Sequence, residues 1–86
     1  MVNYTAVLRE PWVLIASEGE DYVLQVTGDG EALVKASATA PTGTDGAFSL
    51  ETKDVITSQI LSGNIYARDG FSKSGNAVQI VYAKSG

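Results

Sequence analysis

The stretch Asn64-Ile65-Tyr66-Ala67-Arg68-Asp69-Gly70-Phe71-Ser72-Lys73-Ser74-Gly75-Asn76-Ala77-Val78-Gln79-Ile80-Val81-Tyr82-Ala83 decides the fold class. It reads as two strands, Asn64–Arg68 and Ala77–Ala83, joined as a hairpin by the polar loop Asp69–Asn76. In the second strand Val78, Ile80 and Tyr82 point one way, and Ala77, Gln79 and Val81 the other. A period of two is what a strand lying on a core requires, because successive side chains leave opposite faces.

Upstream, the same pattern recurs. Tyr4–Leu8 alternates and reads as an edge strand, with residues 1–9 an edge strand or arm. Glu10-Pro11 interrupts it, since proline cannot donate to a ladder. Trp12–Ala16 is a nearly continuous apolar strand, and Tyr22–Thr27 places Tyr22, Leu24 and Val26 on one face. Gly28-Asp29-Gly30 then predicts a hairpin into Ala32–Ala38, because Asp-Gly accepts the positive φ angles of tight turns. Thr39–Gly46 is a loop by composition. Phe48 and Leu50 open a short strand that Val55-Ile56 continues, and Thr57–Gly63 reads as loop or one helical turn. The reading is all-β: a small antiparallel β-sandwich or jelly-roll-like barrel of six or seven short strands.

Composition bounds the rest. Eighty-six residues make a single domain, 1–86. With no cysteine and no histidine, the chain has no disulfide, thiolate or imidazole chemistry. A core this small gains most from assembly, so a homo-oligomer is expected. A hydrophobic fraction of 44% is too high for disorder, and a net charge of −4 argues against nucleic acid. No apolar run approaches the roughly 20 residues of a membrane helix. The start Met1-Val2-Asn3-Tyr4 predicts no signal peptide, hence synthesis in a cytoplasm.

Chemistry-bearing patterns are weak. Glu18, Glu20 and Asp21 could gather calcium, but they lack the spacing of a calcium loop and read better as a solvated hairpin tip. Gly28-Asp29-Gly30 precedes a strand rather than a helix, so no helix N-terminus waits for a phosphate. The serines have no histidine to activate them, and no S-x-x-K pattern is present. The expectation is a non-enzymatic protein with no catalytic, cofactor or metal residues. Among the aromatics, Tyr22 and Tyr82 alternate with aliphatics and belong to the core. Tyr66 and Arg68 share a face opposite Ile65 and Ala67, an aromatic–guanidinium pair of the kind enriched at interfaces. Phe71, in the polar loop, completes the candidate contact residues.

The series Trp12–Ala16, Val26-Thr27-Gly28-Asp29-Gly30, Ala38-Thr39-Ala40-Pro41, a glycine-to-phenylalanine step to Leu50, then Asn64-Ile65-Tyr66-Ala67-Arg68 and Val78-Gln79-Ile80-Val81 resembles small virion-associated β proteins of tailed bacteriophages. The likeness spans nearly the whole chain, and Asp69 and Lys73 make its last loop more charged than is usual there. It implies a structural role in the particle, as a capsid decoration or a head- or tail-associated protein, made in the host cytoplasm and located in the virion. Other virion proteins and further copies of itself, a trimer being favoured, are the implied partners. Nucleic acid and membrane are not. The rival reading is a small carbohydrate-binding module using Trp12 or Tyr66 as a stacking platform. A third is an accessory factor that binds one partner transiently.

Overall fold

The computed structural model describes residues 2–8, 12–27, 30–43, 46–71 and 78–84, except the side chains of Val2 and Phe71. Within them the chain forms β1 (Val2–Leu8), β2 (Val13–Ala16), β3 (Tyr22–Val26), β4 (Glu31–Ala36), β5 (Phe48–Glu51), β6 (Val55–Thr57), β7 (Ile65–Phe71) and β8 (Val78–Lys84). They build two four-stranded sheets, in the orders β1-β8-β3-β6 and β2-β7-β4-β5, with every pairing antiparallel.

The order follows one rule. β1 pairs with β8, β2 with β7, β3 with β6 and β4 with β5, so the chain is one long hairpin folded at its middle. Rolling that hairpin adds the β3–β8 and β4–β7 pairings and sends successive rungs to alternate sheets. This is the connectivity of a jelly roll, the two-sheet arrangement that shortens exposed edges without closing a barrel. The thinnest dimension, 18 Å, fits two sheets about 10 Å apart plus their outer side chains.

The period of two explains why the sheets close on each other. Tyr22, Leu24 and Val26 of β3 are buried while Val23 and Gln25 are exposed, and Val78 and Ile80 of β8 are buried while Gln79 and Val81 are exposed. The opposing sheet supplies Ile15, Ala32, Val34, Ile65 and Ala67, all at most 1% exposed. Each buried aliphatic contributes roughly 1.5–3 kcal/mol relative to exposure, and neither sheet could bury its face without the other. Leu8 lies in this core and the Tyr4 ring stacks on Tyr82 at 5.1 Å, so residues 2–8 belong to the sheet rather than to a free arm.

Three sequence expectations are corrected. The strand of Tyr66 and the strand of Val78 do not form a hairpin, because β7 and β8 lie in opposite sheets. Their buried side chains meet across the core instead of lying side by side. Alternation reports which side chains face inward, and both arrangements satisfy it equally. Likewise β3 and β4 are not a hairpin; Gly30, with φ 139°, helps the chain cross between sheets. The expected Phe48–Ile56 strand is two strands in different sheets, which brings the total to eight. A turn at Glu51–Asp54 separates them, closed by Asp54 N donating to Glu51 O (2.9 Å) with Lys53 at φ 76°. The Thr57–Gly63 segment makes a single turn, in which the amides of Ile60 and Leu61 both donate to Thr57 O at 3.0 Å.

Candidate protein-binding surface

The outward side of the β2-β7-β4-β5 sheet carries Tyr66 and Arg68, two of the three residues that the sequence marked for contact. Burial of Ile65 and Ala67 turns Tyr66 and Arg68 outward on β7, both half-buried. The register sets Leu14 and Lys35 on either side of Tyr66, and Leu33 beside Arg68. Trp12, just before β2, falls next to Arg68, whose Cζ lies 5.9 Å from the indole centroid. A guanidinium over an indole face is a favourable, rigidifying contact.

Arg68 is fixed by its neighbours. Its Nε donates to Asp69 O at 3.1 Å, and its Nη2 lies 3.8 Å from Asp69 Oδ1. Leu14 is 48% exposed at the rim, and the Nε1 of Trp12 is buried without a hydrogen-bond partner among the described residues. The patch therefore combines two aromatic rings, a positioned guanidinium and branched aliphatics on one sheet, residue types enriched at interface centres. Arg68 lies over one face of Trp12, one of the two rings proposed for sugar stacking; Trp12 and Tyr66 are both half-buried.

Phe71 is placed differently from its expectation. It is not in a loop: it ends β7, paired with Glu31, and its side chain lies outside the described residues. The register shift between Glu31 and Ala32 leaves Gly70 as an extra residue on β7, so the strand runs on through Asp69-Gly70 as a bulge.

The acidic group is dispersed. Ser17 N donates to Glu20 Oε1 at 2.7 Å, Lys84 Nζ lies 3.7 Å from the same oxygen, and Ser58 Oγ donates to Asp21 Oδ1 at 3.4 Å. Ser17–Asp21 is also not a hairpin tip, since it links β2 to β3 across the sandwich. The residue that sequence reasoning missed is Asn64. Its Oδ1 accepts from Glu18 N at 2.8 Å and its Nδ2 donates to Ala38 O at 3.3 Å, so it ties three segments together beside a shallow depression lined by Ala36, Ser37 and Gly63.

The outward side of the β1-β8-β3-β6 sheet has another character. Val7, Val23, Val55 and Val81 are 37–47% exposed there, and no charged side chain lies among its described residues. Its open depression of about 220 Å³ is lined chiefly by Val23, Val55 and Val81, with Asn3 and Gln25 as its polar side chains.

Compared with protein-family models, with curated proteins and with solved structures, the chain finds no match.

Proposed function

We propose that this chain is a non-enzymatic structural protein of a bacteriophage virion, a capsid decoration or a head- or tail-associated protein that acts by binding other virion proteins. The observation that carries the binding part is the outward patch of Trp12, Leu14, Leu33, Tyr66 and Arg68 on one rigid sheet. The virion part rests on the sequence resemblance. Jelly rolls serve viral capsids and lectins alike, so the fold is compatible with this reading without selecting it. The partner is pictured as a protein surface that seats the exposed Leu14 and Tyr66 and offers a carboxylate to Arg68. No cofactor enters the reading.

Co-sedimentation with purified heads and tails tests it. The chain is expected to pellet with one particle type, and Tyr66→Ala or Arg68→Ala to weaken that binding by about tenfold or more, as truncation of an interface anchor does. A chain that stays in the supernatant with both particle types removes the virion reading.

A further inference from the structure

We infer that the free edge of β1 is a self-association site, at which a second copy of this chain adds its own β1 antiparallel to form a continuous eight-stranded sheet. An unpaired strand edge presents a row of amide donors and carbonyl acceptors, and folded proteins blunt such edges with charge, proline, bulges or short length. The other three edges carry these devices. β2 has four residues and a register shift, β5 has four and ends in Glu51, and β6 has three and follows Asp54. β1 has none: Val-Asn-Tyr-Thr-Ala-Val-Leu runs seven residues without charge, glycine or proline, and its register with β8 is unbroken from Val2–Lys84 to Leu8–Val78. Among the described residues no strand covers its outer side.

The occupant is argued from self-complementarity and charge. An antiparallel pair centred on Thr5 sets Thr5 against Thr5, Tyr4 against Ala6, Asn3 against Val7 and Val2 against Leu8. Each pair shares a face, so the core sides of both copies stay on one side of the joined sheet. Threonine pairs across strands are favourable, and like charges directly opposite are not. A chain of net charge −4 repels its copies over most approaches, whereas β1 brings no like charges together. Seven residues span about 24 Å, which places the contact at the small end of protein interfaces, so the dimer is weak, with Kd of about 10 µM to 1 mM.

The inference refines the self-assembly part of the virion reading, with a two-fold dimer in place of a trimer. It rests on the edge itself: a dimer that ignores particles upholds it, and a monomer that binds particles retains the virion reading without it. Sedimentation equilibrium up to about 1 mM, joined to amide hydrogen exchange at low and high concentration, tests it. A monomer–dimer equilibrium is expected, with β1 amides more protected at high concentration. Thr5→Lys, an exposed position that sets two ammonium groups opposite each other, should give a monomer. Val55→Lys, the same charge change on the outward face of β6, should still dimerise. If Thr5→Lys fails to fold, the wild-type exchange data decide alone. A monomer throughout, β1 exchange independent of concentration, or dissociation by Val55→Lys but not Thr5→Lys overturns the inference.

Discussion

Tyr22 shows how a single side chain couples the core to pH. Its ring is 3% exposed, and its hydroxyl donates to Leu61 O at 2.6 Å. Burial disfavours the tyrosinate and pushes the pKa from 10.0 up to about 12. The folded state therefore holds this proton more tightly than the unfolded state. The stabilisation is fully present below pH 10 and is lost as pH rises through about 12, by an amount on the order of 2 kcal/mol. Tyr22→Phe should cost about 0.5–1.5 kcal/mol at neutral pH, because the Leu61 carbonyl loses its donor. It should also lessen the extra alkaline loss, read as the difference between wild-type and variant urea midpoints at pH 8 and pH 11. Parallel pH profiles would refute the assignment. The inward side of Tyr22 was legible from its alternation with Leu24 and Val26. The clasp made by Asn64 was not, since its partners Glu18 and Ala38 lie 46 and 26 residues away and no local pattern points to them.

At the scale of elements, the strands were legible and their neighbours were not. Alternation in Tyr22–Val26 and Val78–Tyr82 states which side chains go inward, but a rolled hairpin and a set of local hairpins share that pattern. Asp-Gly misled for a related reason: a glycine released from steric limits serves a hairpin, a crossing between sheets or a bulge. Gly70 is the bulge case. A Cβ there would lie 3.1 Å from Leu33 Cγ, 3.1 Å from Glu31 Oε1 and 3.2 Å from Glu31 O, the last a backbone atom with little freedom to retreat. Gly70→Ala should therefore destabilise by about 1–3 kcal/mol through overpacking. Gly43 meets nothing within 4 Å, so Gly43→Ala should be neutral or slightly stabilising through the unfolded chain. Equal urea midpoints for the two variants would show that the β4–β7 register does not depend on Gly70. The candidate patch was half legible. Tyr66 and Arg68 follow from the buried Ile65 and Ala67, whereas Trp12 and Leu14 join them only through the β2–β7 pairing, which sets Leu14 opposite the sequence-distant Tyr66.

For the whole molecule, the roll makes the two sheets interdependent. Only β4 and β5 are successive strands of one sheet; every other connection between successive described strands crosses the sandwich. The outermost pairing joins Val2 to Lys84, so sheet β1-β8-β3-β6 is complete only when both ends of the described chain have come together. Neither sheet can persist alone, because its inner face would lose the apolar surface that covers it. Unfolding should therefore be a single cooperative transition. Trp12 fluorescence, which reports the β2-β7 side, should fall at the same urea concentration as far-UV circular dichroism, which reports both sheets. Folding should be slow for so short a chain, in the range of milliseconds to seconds, because non-local pairings demand loop closure before any contact repays it. Stopped-flow refolding followed through Trp12 measures this directly. A microsecond phase carrying the full amplitude, or two separated equilibrium transitions, would mean that one sheet forms without the other and that the rolled hairpin is not the cooperative unit.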